Sequence, residues 1–367
     1  MQYDRYYYSV LNQKEKEVYK LIYNGIENLD TSIKIPTKFC SGVDFGDIIQ
    51  KILLDNPHIF YIDRNGYKFA SSSLGFFIKF DYLYNAKDIA KLHVKINKVV
   101  NSMLKRITGE TDYEKEKSVH DLICTNVTYT YDALDNMKKY SSVSNTILGV
   151  LFYKTAVCEG IALTVKLLLN MLDIKCIVAI GQLKNELHAW DIVKIDGQSY
   201  HLDVTNDLSE VSYAISYKYF NLTDKEILKT HTFLQKYPAC NNSEYNYFAR
   251  EKLIASSKAD IERIVRAACS SNQGFVEFKF AGNTTIENAR SYALTCVHAT
   301  QKQYINDNVS DVITIVWGNM CLRINDKADK CINNNRTDAN IVSSNQTGKN
   351  KGRISKLLDK IRLLFKK

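Results

Sequence analysis

Lys154-Thr155-Ala156-Val157-Cys158-Glu159-Gly160-Ile161-Ala162-Leu163-Thr164-Val165-Lys166-Leu167-Leu168-Leu169-Asn170-Met171 is the most informative stretch of the 367-residue chain. A polar and small start gives way to an apolar run, which predicts a helix with Cys158 in its first turn. A thiol reacts as its thiolate, and the unpaired N–H groups and aligned peptide dipoles of a helix start stabilise that anion. Downstream, residues 174–180, 189–195 and 199–204 are short, β-branched and separated by turns such as Asp196-Gly197, so they predict successive antiparallel strands. His188 opens the middle strand and is the candidate base. In the last strand His201, Asp203 and Thr205 alternate with Tyr200, Leu202 and Val204. Pairing across the hairpin would bring Asp203 to His188 on a shared face and fix the tautomer of the ring.

Each of the three residues has a plainer reading: an inert core thiol, a histidine at a strand end, a carboxylate at a turn. Their ordered company favours chemistry. Ala156-Val157-Cys158-Glu159-Gly160, His188-Ala189-Trp190 and His201-Leu202-Asp203-Val204-Thr205 resemble, in type, order and spacing, the three motifs of the transglutaminase-like superfamily. The likeness extends through Val119-His120-Asp121, Asn126-Val127-Thr128-Tyr129 and Tyr219-Phe220-Asn221-Leu222. Upstream, Asp55-Asn56-Pro57-His58-Ile59-Phe60-Tyr61 resembles the N-terminal region of bacterial members, so the likeness covers residues 44–232. The resemblance implies a papain-like α+β core in which the cysteine helix packs on an antiparallel sheet. It also implies Cys158 as nucleophile, His188 as base, Asp203 as orienting carboxylate, a thioester intermediate, and amide substrates attacked by water or an amine. No cofactor is implied. Ile161, Asp191 and Asn206 stand where such proteins often carry an aromatic residue, an asparagine and a tryptophan, which leaves the triad intact and alters the cleft. For oxyanion or substrate contacts the candidates are the backbone N–H of Cys158 together with Tyr129, Glu159 and Trp190.

Around this core, residues 13–29 and 44–54 carry helical periodicity, as do 86–107 and 113–124. Between them, 58–80 reads as a small β-meander in which Ile59-Phe60-Tyr61-Ile62 and Tyr67-Lys68-Phe69 flank a turn at Arg64-Asn65-Gly66, and residues 76–80 follow. Past residue 256 the order helix (260–268), strand (275–280), helix, then a hairpin of 312–317 and 321–324 predicts a small α+β unit. Thr284 with Glu287 forms a capping-box pattern before its second helix. The expected organisation is 1–112, N-terminal helical and meander region; 113–245, transglutaminase-like core; 246–326, small α+β unit. An Asn/Ser-rich linker at 327–350 and a basic amphipathic helix at 351–367 follow.

Composition excludes several classes. With 45% hydrophobic and 24% charged residues and only three prolines, the chain is an ordinary globular one without repeats. The formal charge of +9 is concentrated in 349–367, where Lys349, Lys351, Arg353, Lys356, Lys360, Arg362, Lys366 and Lys367 face only Asp359. The body is close to neutral, and nucleic acid is not an expected partner. The 351–367 helix is expected to dock either on protein or on an anionic membrane face. Nine scattered cysteines lack the paired spacing of a disulfide framework or a zinc site, so no metal is expected. With neither a signal peptide nor a spanning segment legible, the expectation is cytoplasmic, with membrane-peripheral attachment through the tail. Two functions stay open at this point: a cysteine hydrolase or acyltransferase acting on peptide or protein amides, and a non-catalytic module that binds a peptide or polymer on the same fold.

Overall fold

The structure, a computed structural model, describes residues 4–64, 66–72, 75–130, 143–208, 215–271, 275–281, 286–300, 313–316 and 319–323. The expected linker at 327–350 and tail helix at 351–367 lie outside the described residues, as do the turn residue Asn65 and Thr284 of the capping-box pattern.

Helices α1 (Tyr6–Val10) and α2 (Gln13–Glu27) open the chain, followed by strand β1 (Ser32–Ile35), α3 (Phe45–Asp55), β2 (Lys68–Ser72), β3 (Gly75–Lys79), α4 (Ala86–Leu104) and α5 (Asp112–Asn126). Their starts are chemically marked. Asn12 caps α2 and Thr111 caps α5, each in a reciprocal box with the glutamate three residues on, Glu15 and Glu114. Next come β4 (Thr128–Tyr129), β5 (Thr155–Ala156), α6 (Cys158–Met171), β6 (Cys176–Leu183), β7 (Glu186–Ile195), β8 (Gln198–Leu202), α7 (Val204–Asp207), α8 (Asp224–Ile227), β9 (His231–Phe233) and α9 (Tyr247–Arg250). The last unit holds β10 (Ile254–Ala255), α10 (Lys258–Ser270), β11 (Phe275–Phe280), α11 (Ile286–Thr300), β12 (Ile313–Val316) and β13 (Asn319–Arg323).

The centre is a mixed α+β layer pair. Helix α6 packs on a four-stranded antiparallel sheet of order β8-β7-β6-β9. Residues Gly160 to Asn170 of α6 are all buried, which is why this helix shows a continuous apolar run rather than a stripe. Leu163, Leu167, Leu168 and Leu169 are at most 1% exposed, and each contributes on the order of 2 kcal/mol by leaving water. The buried cluster around α6 runs from Tyr7 to Phe248 without a break. A second cluster, from Ala255 to Cys296, lies under α10, α11 and β11.

Two expectations are corrected in the N-terminal meander. Ile59-Phe60-Tyr61-Ile62 is not a strand; only Ile62 forms a bridge, to Tyr82. All four side chains are buried, and their β-branched and aromatic character serves burial on every side instead of a ladder. The third strand of that sheet is Ser32–Ile35, pairing with β3 in the order β1-β3-β2; a four-residue strand with two lysine-flanked apolar positions gives little periodic signal. Helices α4 and α2 end two or three residues short of the sequence reading, within the usual fraying of helix ends. The C-terminal sheet has the order β10-β11-β13-β12, and its β10–β11 pair is parallel. Among the described residues no helix is long and apolar enough to cross a membrane.

Candidate active site

Cys158 is the first residue of α6, as the sequence predicts, and the N-cap residue Val157 makes no side-chain cap. The first-turn N–H groups therefore keep their hydrogen-bonding capacity for whatever approaches the sulfur. Two features hold this helix start. Val157 donates its N–H to the carbonyl of Ser144 at 3.2 Å. Gly160 runs so close to the same backbone that a β-carbon there would collide with the Ser144 carbonyl oxygen and stand 2.9 Å from that of Thr146. The glycine of Cys-Glu-Gly is thus a packing requirement.

His188 lies on β7, two residues after the strand begins at Glu186. Its Nε2 is 2.8 Å from Asp203 Oδ2, and since a carboxylate only accepts, that nitrogen carries the proton. Cys158 stands at the same imidazole, near enough for its sulfur to strengthen the ring's hold on a proton by charge and by hydrogen bonding. Three residues distant in sequence do converge, though not as the strand alternation predicts. The β7–β8 ladder pairs Asp191 with Leu202 and ends there. Asp203 has left the strand to become the N-cap of α7, its Oδ1 accepting the N–H of Asn206 at 3.1 Å. The cap fixes one carboxylate oxygen and leaves Oδ2 for the imidazole.

Electrostatics follow from that geometry. Burial alone would lower the basicity of His188, but the Asp203 charge and hydrogen bond, with Cys158, outweigh it and hold the ring up to about 10. Burial would raise Asp203, yet His188 and then His231 hold its carboxyl well below the usual carboxylate range. At neutral pH the dyad is an imidazolium–carboxylate pair.

The remaining candidates are distributed as follows. Tyr129 sits on β4, in register with Ala156 of β5, two residues before Cys158. Glu159, beside Cys158, is ion-paired with Arg64 from the loop before β2; burial pushes its carboxyl up against the pull of that guanidinium. Trp190, read from sequence as an oxyanion or substrate contact, is 1% exposed and gives its only N–H to His201 Nδ1 at 3.0 Å. That leaves it no donor for an oxyanion. It stacks instead on His188, ring centroids 6.1 Å apart and 15° from parallel, and forms the back wall of the imidazole. Gly181, in register with His188, lets the ring in, since a β-carbon would come 2.6 Å from the Trp190 indole. His201 donates its Nε2–H to Asp224 Oδ1 at 2.8 Å and is a neighbour of the dyad, not a second base.

Sequence reasoning missed two side chains, His231 and Arg64, and the contact made by a third, Asn206, which it read only as altering the cleft. Asn206 donates its amide to Asp203 Oδ2; His231 meets the same oxygen at 3.0 Å; Arg64 reaches Glu159 from nearly a hundred residues upstream. A lone histidine in Thr230-His231-Thr232 carries no signal of its own, and an arginine in a turn reads as solvated. Two sets of three side chains among the described residues bring one possible ligand atom each within 4.8 Å of one another, His188/Asp203/His231 and His201/Asp224/Cys240. In both, N–H groups engage the carboxylate oxygens at 2.8–3.1 Å, so each is held together as a hydrogen-bond network. A second cysteine–histidine–aspartate group is sealed in the core: His120 Nε2 lies 3.3 Å from Asp207 Oδ2 and 3.6 Å from Cys124 Sγ. None of its members exceeds 4% exposure, and its effect is to pin α7, at whose start Asp203 sits.

Residues 101–204 match the family model of the transglutaminase-like superfamily, a span that contains Cys158, His188 and Asp203. Those residues, under a third of the chain, have a transglutaminase-like fold. No curated protein matches it. Among solved structures it is similar to a TGase, at 14% identity and a TM-score of 0.31, over 54% of this chain and 60% of that one. It is also similar to a candidate cysteine protease from Cytophaga hutchinsonii, at 16% identity and a TM-score of 0.26, over 38% and 61% of the two chains. A candidate protease from Parabacteroides distasonis gives 15% identity and a TM-score of 0.24, over 36% and 29%. The chain spans about 60% of the first two and under a third of the last. Likenesses of that size leave the chemistry of the transglutaminase-like core to be argued from its own side chains.

Proposed function

We propose that the transglutaminase-like core is a cysteine hydrolase or acyltransferase acting on peptide or protein amides, with Cys158, His188 and Asp203 as its triad. The observation that supports this most directly is the 2.8 Å bond from His188 Nε2 to the buried Asp203 carboxylate, made by the same ring that faces a thiol at a helix start. With Nε2 committed to Asp203, Nδ1 is the nitrogen left for the sulfur, and thiol and imidazole share one proton there.

Cys158 Sγ attacks the amide carbonyl carbon. The shared proton moves from His188 to the leaving nitrogen as the C–N bond breaks, and the acyl group remains on sulfur as a thioester. Water or an amine then adds to the thioester and gives its proton to His188; the C–S bond breaks and the proton returns to sulfur. The oxyanion formed in each half forms next to the Cys158 N–H at the uncapped helix start, with Tyr129 as the side-chain candidate alongside. Trp190 keeps the imidazole in plane, and Arg64 neutralises Glu159 next to the nucleophile.

The test is alkylation of Cys158 by iodoacetamide across pH, followed by incubation with glutamine-containing peptides with and without an amine donor, read by intact mass. Expected are labelling of Cys158 at pH 6 at least about tenfold faster than a free thiol, as for a cysteine beside an imidazolium, loss of that advantage in H188A, and a peptide-derived thioester absent from C158A. Labelling no faster than a model thiol and indifferent to H188A would overturn the reading. Fast labelling with no acyl adduct and no turnover would favour the binding module.

A further inference from the structure

Asp203 Oδ2 is shared. His188 Nε2 approaches it at 2.8 Å and His231 Nε2 at 3.0 Å, and the Asn206 amide donates to the same oxygen. His231 opens β9, the edge strand of the sheet on the β6 side. It is wholly buried and takes no part in the acyl-transfer steps above. Its proton can be assigned by chemistry. The carboxylate is a pure acceptor, so His231 Nε2 carries the hydrogen, and its Nδ1 is engaged by Thr230 Oγ1 at 2.8 Å. The ring is boxed by Trp190, with centroids 5.0 Å apart, and by Tyr219 at 5.7 Å, so it cannot swing away.

Two imidazoles on one carboxylate oxygen compete for its charge. Each hydrogen bond that Oδ2 accepts from His231 reduces what it offers His188. We propose that His231 is a positioning residue that holds Asp203 through the same oxygen His188 uses, its ring 5.4 Å from that of His188, and divides the carboxylate's charge, thereby limiting how firmly His188 holds its proton. The inference rests on His188 and Asp203 acting as the dyad proposed above. The consequence for chemistry is direct: an imidazolium held too tightly by its carboxylate gives its proton reluctantly to a leaving amine, and His231 moderates that grip. Other titratable groups around the pair are Cys158 on α6, Asp191 on β7, His201 on β8, Asp207 on α7 and Tyr219 in the segment before α8. All are present in every variant below.

The experiment compares wild type, H231L, which removes the donor, and H231Q, whose amide nitrogen substitutes for Nε2–H. The readouts are the His188 titration followed by NMR of labelled histidine rings and the basic limb of Cys158 alkylation. Expected is an upward shift of both in H231L by about one pH unit, a tenfold change in the proton equilibrium, with a fall in turnover and restoration in H231Q. A uniform loss of rate or of thermal stability with unshifted titrations in H231L would overturn the inference, because packing alone would produce it. If H231L does not fold, H231N, whose amide ends short of Asp203, takes its place with the same expected shift. The two failures are separable: if wild type itself lacks a His188-dependent limb, with H188A superimposing on it, the dyad reading fails; if wild type has the limb and H231L leaves it unmoved, only the role of His231 falls.

Discussion

Replacing Arg64 with glutamine isolates a charge that sits beside the candidate nucleophile without belonging to the triad. Arg64 and Glu159 form an ion pair whose side chains are 14% and 22% exposed, so both are largely out of water. Breaking a fully buried pair by removing one partner costs about 3–5 kcal/mol; with about a fifth of the carboxylate still solvated, R64Q should cost about 2–4 kcal/mol at pH 8. Its pH dependence has a definite sign. Burial already raises the Glu159 carboxyl against the pull of Arg64, and without Arg64 it rises further. A carboxyl raised in the folded state contributes its stability below its unfolded value and loses it as pH rises through the folded one. The penalty of R64Q should therefore shrink as pH falls and Glu159 takes up a proton. Urea denaturation of wild type, R64Q, E159Q and R64Q/E159Q at pH 5 and 8 measures this, with the double variant recovering most of the loss. A carboxylate left bare next to Cys158 should also repel an anionic reagent, so R64Q should slow iodoacetate relative to iodoacetamide severalfold. A loss under 1 kcal/mol at pH 8, or a double variant no better than R64Q, would refute the reasoning.

Two further perturbations follow from the core. Glu116 of α5 is wholly buried, accepts one hydrogen bond from Asn221 at 2.7 Å, and leaves Oε1 without a partner; burial pushes its carboxyl up to about 8, against the pulls of Asn221 and His120. Between the ordinary value of 4.5 and about 8 the unfolded chain is ionised while the folded one keeps the proton, so this group alone lowers stability by about 1.4 kcal/mol per pH unit as pH rises. E116Q should flatten that slope in urea titrations from pH 5 to 8. An exposed helical glycine would gain about 0.5–1 kcal/mol on becoming alanine, but G160A drives a methyl into the Ser144 carbonyl and should cost about 1–3 kcal/mol and slow Cys158 alkylation; a stabilised G160A in the same denaturation assay would contradict the packing described.

What was legible in the sequence was local. The apolar run after Cys158 and the β-branched segments before and after Asp196-Gly197 wrote α6 and the β6-β7-β8 meander directly, because those elements are buried on the faces their patterns announce. The proposed triad was legible as a candidate for the same reason: its members stand at or near the ends of strongly patterned elements. Asp203 reached His188 by a route the alternation did not contain, since a helix cap, not a strand, sets its rotamer. His231 and Arg64, and the bond that Asn206 makes to Asp203, were hidden because their significance is entirely tertiary; each matters only for the group it meets. Ile59-Phe60-Tyr61-Ile62 misled because burial on all sides and strand pairing favour the same residues.

The far end of α6 is tied down by the first residues of the chain. The Lys166 ammonium, itself buried, donates to the carbonyls of Asp4 at 2.7 Å and Cys176 at 2.6 Å. Asp4 in turn gives its N–H to Asn170 at 3.0 Å, and Tyr7 hydrogen-bonds the Val178 carbonyl of β6 at 2.6 Å. A fragment trimmed to 101–204, the span that sequence kinship marks out, would strip a carbonyl from a cation the interior cannot hydrate and open the underside of the sheet. Ancestry and foldability draw their boundaries in different places in this chain: the helix that presents a sulfur at one end is anchored toward the other by Asp4, more than ninety residues outside the matched span.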